Sequence, residues 1–202
     1  MRVLDPDQTY TFSKIFELNA EVDDVVADFG YSLSRQQLEL PKYSGELDRL
    51  VEVRRRISEV LPYVNLRTEA ARREILVAPI VTDLVHYTGA QLRIEYPLKV
   101  SSCLQGYLDY LLRTDKTLLV IEAKKEDMNN GFTQLAVELI ALDQWFTTSE
   151  EPTLLGAVTT GNIWQFGVLH RETQNITQDV NLYVVPDDLE PVLRISIRAL
   201  RL

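Results

Sequence analysis

Two apolar segments, 107–112 and 117–123, flank the polar tetrapeptide Arg-Thr-Asp-Lys at 113–116. Aromatic, β-branched and leucine side chains dominate both segments, and the polar residues between them predict a β-hairpin. A hairpin constrains the fold strongly because it pairs two strands in a single register. If the turn is centred in the middle of the tetrapeptide, counting outward along both strands brings Asp109 opposite Glu122, with β-carbons roughly 5 Å apart.

The charges in this hairpin interrupt otherwise apolar strands. Side chains alternate along a strand, so Glu122 and Lys124 share one face with Val120. Two facing carboxylates repel each other, and a divalent metal with oxygen ligands, assisted by Lys124, would relieve that repulsion. The alternative is that each charge simply marks a solvated strand end. The opposite face of the second strand is apolar and holds Leu119, Ile121 and Ala123.

Composition excludes several classes of protein. The 202 residues, 46% of them hydrophobic, suit one globular domain with an accessory segment. No run of about eighteen apolar residues and no apolar leader is present, so we expect no membrane span and a cytoplasmic location. The single Cys103 and the separated His86 and His170 exclude an internal disulfide and a Cys/His zinc site.

Charge is unevenly distributed along the chain. The net charge is -9, whereas contacts with nucleic-acid phosphates normally require a positive surface. Residues 49–73 nevertheless hold seven Arg against three Glu. This segment could form a local basic surface or an ordinary solvated helix face. The chain has no Gly-rich phosphate loop, no nucleophile elbow and no dinucleotide-binding turn.

Residues 1–62 are predicted to form a largely helical accessory layer on a core of residues 63–202. In this layer the pattern predicts an extended piece over 9–18, a helix from Asn19 to Phe29, a loop over 40–45 and a helix over 46–60 that Pro62 stops.

The core is predicted to open with a helix that begins at the N-cap Thr68, ends before Gly89 and is kinked by Pro79. Glu69 falls on the inward face of this helix. It could cap its own helix, which the helix dipole favours, or it could face a functional site.

A second helix is predicted after Asn129-Asn-Gly131, running to about Phe146, with Gln134 and Glu138 on its polar side. Segments 153–160 and 164–170 then form a hairpin around Gly161 and Asn162. A strand over 181–185 and a last helix from Asp187 complete the chain. The apolar stripe of this second helix consists of Phe132, Leu135, Ala136, Leu139 and Leu142.

Asp109 followed by Glu122-Ala123-Lys124 across a hairpin resembles the PD-(D/E)XK nuclease superfamily. Over residues 66–146 the chain is similar to the N-terminal nuclease domain of type I restriction enzyme motor subunits. The resemblance implies an α/β, restriction-endonuclease-like fold, with a mixed central sheet flanked by helices. The matching elements are Thr68-Glu69-Ala-Ala-Arg72, Ala78-Pro79-Ile80, Glu95 within Leu92-Arg-Ile-Glu-Tyr96, Gly106-Tyr-Leu-Asp-Tyr110 and Glu122-Ala-Lys124.

The resemblance also implies a set of site residues for a Mg²⁺-dependent deoxyribonuclease. Where similar nucleases carry a Tyr four residues after the Gln, this chain has Glu138, which puts that contact in doubt. The implied catalytic residues are Glu69, Asp109, Glu122, Lys124 and Gln134. The implied ligands of Mg²⁺, or of Mn²⁺ in its place, are Asp109, Glu122 and the carbonyl of Ala123. The implied nucleic-acid contacts are Arg72, Arg73 and Gln134.

DNA is the expected partner, in restriction, defence or repair. The motor of type I enzymes is absent from this sequence, so ATP dependence would require a separate motor or specificity subunit. A further alternative is that the accessory layer, residues 1–62, forms the interface of a homodimer. The alternative to an enzyme is a catalytically silent module of the same fold that binds nucleic acid or a protein.

Overall fold

A mixed β-sheet forms the centre of the protein. The computed structural model describes residues 2–5, 7–124, 127–147 and 151–201. Within these residues the sheet has eight strands. The strands are β1 (Ser32–Gln36), β2 (Gln91–Lys99), β3 (Gln105–Arg113), β4 (Leu118–Ala123), β5 (Thr153–Thr159), β6 (Ile163–His170), β7 (Asn175–Asp179) and β8 (Tyr183–Val184).

The strand order across the sheet is β1-β7-β6-β5-β4-β3-β2, and β8 pairs with β6. Two of these pairings are parallel, β1 with β7 and β4 with β5, and the others are antiparallel. The parallel contact of β4 with β5 requires a crossover, and the long helix that follows β4 provides it. The prediction of a mixed sheet with flanking helices is confirmed.

Helices cover both faces of the sheet. Side chains of α1, α2 and α6 share a core with Val120 and Val158 on one face, and those of α3, α5 and α7 share a core with Leu119 and Ile121 on the other. The helices are α1 (Phe12–Glu17), α2 (Val22–Asp28), α3 (Leu50–Val60), α4 (Glu69–Arg72), α5 (Ala78–Thr88), α6 (Met128–Trp145) and α7 (Leu189–Leu200), with a 3₁₀ turn at Leu61–Tyr63 and a π-helical turn at Arg73–Val77.

The ends of the predicted core helix are confirmed. Thr68 Oγ1 accepts the backbone N–H of Ala71 at 3.1 Å, and Gly89 closes the helix in the left-handed conformation, with φ of +67°. The irregularity predicted at Pro79 is a π-helical turn just before it. Proline has no N–H for the carbonyl one turn earlier, so the local hydrogen bonding is rearranged. The hairpin around Gly161, the loop over 40–45 and the final helix are also confirmed.

The prediction of an extended piece over 9–18 is wrong. Residues 12–17 form α1 because Thr11 caps the helix, with its Oγ1 accepting the N–H of Lys14 at 3.2 Å. Helix α3 begins at Leu50 rather than at residue 46. Strands β1 and β7, which the pattern did not predict, pair with each other, so a segment of the predicted accessory layer joins the central sheet.

Candidate active site

The open end of the β3–β4 hairpin carries two acidic side chains. The last paired rung joins Tyr110 to Ile121, and continuing that register by one residue brings Asp109 opposite Glu122. The backbone ladder stops there because Asp109 Oδ2 accepts the N–H of Ala123 at 2.9 Å. The carboxylate thus replaces a strand-to-strand hydrogen bond. The register predicted by counting outward from the turn is confirmed.

Glu122 is the buried centre of the site. Its side chain is only 1% exposed, and its Oε1 lies 2.6 Å from Lys124 Nζ and accepts a hydrogen bond from Gln134 Nε2 at 2.7 Å. Burial, followed by the negative charge of Asp109, raises the pKa of Glu122 from 4.5 to about 7, although Lys124 opposes the change. This carboxyl group therefore gains or loses its proton near neutral pH.

Lys124 is held beside Glu122 by packing as well as by charge. Its ammonium lies 4.9 Å from the centre of the Phe16 ring in α1. Gly131 of α6 makes room for the stem, since a β-carbon there would lie 3.1 Å from Lys124 Cγ and 2.8 Å from Val158 Cγ2. Burial alone would lower the pKa of Lys124, but the charge and hydrogen bond of Glu122 raise it. Lys124 is therefore a cation at neutral pH.

Helix α6 contributes a second buried acid. Gln134 Nε2 donates to Glu138 Oε1 at 2.8 Å as well as to Glu122, and Glu138 is completely buried. Burial and then the nearby charge of Glu122 raise the pKa of Glu138 well above its usual value. The expectation that Gln134 and Glu138 lie on a polar helix side is wrong, because α6 is buried on all sides between residues 131 and 142.

The other acid, Asp109, faces a cation. Arg73 Nη1 lies 3.5 Å from Asp109 Oδ1 and 3.3 Å from Glu95 Oε1, and its guanidinium lies 5.2 Å from the centre of the Tyr110 ring. Glu95 has a φ of +50°, in the left-handed region that a non-glycine residue rarely adopts. In this arrangement Arg73 neutralises one of the two carboxylates. Its ion-pair partners among the described residues are Asp109 and Glu95.

Two predicted site residues are not bonded to this cluster in the part of the chain that the structure describes. Glu69 stands in the first turn of α4 and is partly exposed; no hydrogen bond or ion pair within the described residues joins it to Asp109 or Glu122. Arg72 donates to the carbonyl oxygens of Leu66 at 2.7 Å and Thr160 at 3.0 Å, and to the Asn162 side chain. These bonds hold its guanidinium at the β5–β6 turn.

The donor atoms at the hairpin end suit a hard divalent cation. Asp109 and Glu122 offer only oxygen, as Mg²⁺ and Mn²⁺ prefer. Glu122 Oε2 is buried and has no hydrogen-bond partner in the described part of the chain. These residues therefore fit a metal bound through Asp109, Glu122 and the Ala123 carbonyl. No group of three or more His, Cys, Asp or Glu side chains forms a candidate metal site among the described residues, so waters or phosphate would have to complete the shell.

Comparisons with models of known protein families, with curated protein sequences and with solved structures found no match to this chain. The function must therefore be inferred from the fold and the site. No helix in the described residues is long and apolar enough to cross a membrane.

Proposed function

We propose that this protein is a metal-dependent endonuclease that hydrolyses DNA phosphodiester bonds. The observation that carries the proposal is the hairpin end, where Lys124 Nζ lies 2.6 Å from Glu122 Oε1 and register brings Asp109 opposite Glu122. Two carboxylates and an ammonium in this relation suit phosphoryl transfer, in which charge develops on the phosphate oxygens. The mixed sheet with helices on both faces supports the finer proposal of a restriction-endonuclease-like fold.

In this proposal Glu122 binds the metal and Gln134 holds Glu122 in position. The chemistry that Mg²⁺ or Mn²⁺ supplies when bound is Lewis-acid activation of a phosphodiester and of water. Glu122 would give up its proton to become a ligand, which its pKa of about 7 allows at neutral pH. Gln134 would hold Glu122 Oε1 through its Nε2 and leave Oε2 free as the second donor.

Lys124 acts in this scheme as a charge donor. Because Glu122 raises its pKa, Lys124 Nζ keeps its proton and would not remove one from water. It would instead donate hydrogen bonds to a phosphate oxygen and stabilise the negative charge that grows there. Phe16 and the space above Gly131 keep the ammonium in position for that contact.

Access of DNA to so acidic a chain is proposed to depend on the arginine-rich segment 49–73. Arg73 of this segment contacts the site, with its Nη1 3.5 Å from Asp109 Oδ1. A phosphate entering the site would compete with Asp109 for its guanidinium, and this exchange would free an oxygen of Asp109 for a cation. Arg72 and Gln134 remain predicted nucleic-acid contacts.

Plasmid cleavage with Mg²⁺ tests the proposal. Glu122→Gln and Lys124→Met should each slow cleavage by about a hundredfold or more, the usual effect of removing such a group. Glu172→Gln and Lys42→Met, which change exposed side chains far along the chain from the site residues, are the matched controls and should leave the rate unchanged. Circular dichroism and thermal melting establish that the variants fold. Cleavage at the wild-type rate in both site variants would overturn the assignment.

A second candidate function is a catalytically silent module that binds nucleic acid or a protein. The contact of Arg73 with Asp109 favours it, because a resident cation already neutralises one of the two proposed metal ligands. Calorimetric titration with Mg²⁺ separates the two functions, since a silent module has no need to bind metal at Asp109 and Glu122. A separate motor or specificity subunit and a homodimer remain proposals in either case.

A further inference from the structure

A cavity of about 290 Å³ lies on the face of the sheet opposite Glu122, beneath the last turns of α7. Leu155 of β5 pairs with Val168 of β6, and both line the cavity floor. Ile195 of α7 forms part of its roof. Leu38, Leu40 and Pro41, from the loop after β1, close one side. The volume equals that of about ten water molecules and lies near the lower end of the range for small-molecule sites.

One end of the cavity is polar. Thr153 pairs with His170, and continuing the β4–β5 register places Thr117 beside Thr153. These three side chains form a row at the end of the sheet where β4 and β5 begin, next to the apolar row of Leu155 and Val168. The cavity therefore changes from apolar to polar over one step along the strands.

A cation lines the same cavity. Arg198 of α7 lines the cavity together with His170. Neither side chain makes a hydrogen bond or an ion pair with any other residue that the structure describes, whereas Arg194, one turn earlier, is held by Glu190 and by the carbonyls of Tyr43 and Gly45. An arginine that lines a cavity without a partner offers its paired N–H groups to a planar anion such as a carboxylate.

We infer that this cavity binds a small amphiphilic monocarboxylate, with its apolar body on Leu155, Val168 and Ile195 and its carboxylate on Arg198. The His170 ring can donate a second hydrogen bond, since imidazole carries an N–H in either neutral form. The inference is independent of the proposed nuclease activity, because the cavity and Glu122 lie on opposite faces of the sheet. The small volume favours a single short chain or ring.

A series of straight-chain carboxylates from butanoate to dodecanoate, titrated calorimetrically into the whole protein, tests this inference. Affinity should rise about fourfold for each added CH₂ while the chain fills the cavity, and should level off once the cavity is full. Octanoate should bind with one-to-one stoichiometry, and octylammonium, which has the same chain and the opposite charge, should not bind. Affinity that keeps rising to dodecanoate without levelling off would indicate surface adsorption and overturn the proposal.

Two variants locate the site. Arg198→Met keeps the apolar stem, removes the charge and should weaken octanoate binding by about tenfold or more, because a charge-assisted hydrogen bond is lost. Arg201→Met, at the end of the same helix, is the matched control and should bind as the wild type does. Ala199→Phe should fill the cavity and abolish binding, with a thermal melt to establish folding. Equal octanoate affinity in Arg198→Met and Arg201→Met, or no octanoate binding to the wild type, would refute the inference.

Discussion

Replacing Glu122 by glutamine removes a buried acid whose pKa burial and Asp109 raise from 4.5 to about 7. In the unfolded chain this carboxyl group ionises near pH 4.5, whereas in the folded protein it holds its proton until about pH 7. The unfolded state therefore loses the proton first, and rising pH destabilises the wild-type protein across that window. Each pH unit corresponds to about 1.4 kcal/mol, so the window from 4.5 to about 7 corresponds to about 3 kcal/mol.

Urea denaturation at a series of pH values, with EDTA present, measures this effect. A glutamine side chain cannot ionise, so the free energy of unfolding of Glu122→Gln, relative to the wild type, should rise by about 3 kcal/mol between pH 4.5 and 8. Glu59→Gln, which alters an exposed carboxylate, should show no such rise. A flat difference for Glu122→Gln would refute the raised pKa, and a falling one would show that Lys124 holds Glu122 ionised at low pH.

Three further substitutions test the packing around the site and elsewhere in the fold. Gly131→Ala should lower stability by about 1 kcal/mol in urea denaturation, since overpacking against Lys124 outweighs the gain in helix propensity; equal or higher stability would contradict this packing. Tyr31→Phe removes the 2.7 Å hydrogen bond to Asp143 and should cost about 1 to 2 kcal/mol in the same assay, whereas an unchanged midpoint would show that the bond is not formed. Thr68→Ala removes an N-cap and should cost about 1 kcal/mol, and an unaltered melting temperature would argue against that cap.

The hairpin and its register could be predicted because the turn lies at its centre. Once the polar tetrapeptide fixes the turn, every pair along β3 and β4 follows by counting, and the pairing of Arg113 with Leu118 confirms the count. Alternation then determines which side chains share a face with Glu122. The ends of the core helix could be predicted equally well, since Thr68 and Gly89 are typical capping residues.

Strands β1 and β7 could not be predicted, because their side chains are mostly polar. Ser32–Gln36 and Asn175–Asp179 have the composition of loops, yet most of β7 is buried. One of its buried polar groups bonds to a residue far away in the sequence: Asp179 Oδ1 accepts the N–H of Leu38, as well as that of nearby Asn181. Tertiary contacts of this kind leave no periodic signal in a sequence.

Glu138 was missed as a site residue for a related reason. A helix with an apolar stripe is expected to have a solvent-exposed face on its other side, and the pattern placed Gln134 and Glu138 on that face. Helix α6 crosses between β4 and β5 beneath α1 and α2, so its polar side faces Glu122 instead of solvent. The one sequence signal for Glu138 was its spacing of one helical turn from Gln134. That spacing indicates a shared site only if both side chains are buried, which the sequence does not show.

The number of protons released when Mg²⁺ binds tests the central claim most directly. At pH 6 Glu122 is largely protonated, given a pKa of about 7, and must lose its proton to bind a metal. Calorimetric titration in two buffers of different ionisation enthalpy should therefore show about one proton released per Mg²⁺ bound by the wild type, and no binding by Asp109→Asn. Magnesium binding without proton release, or undiminished binding by Asp109→Asn, would place the metal elsewhere and contradict the proposed active site.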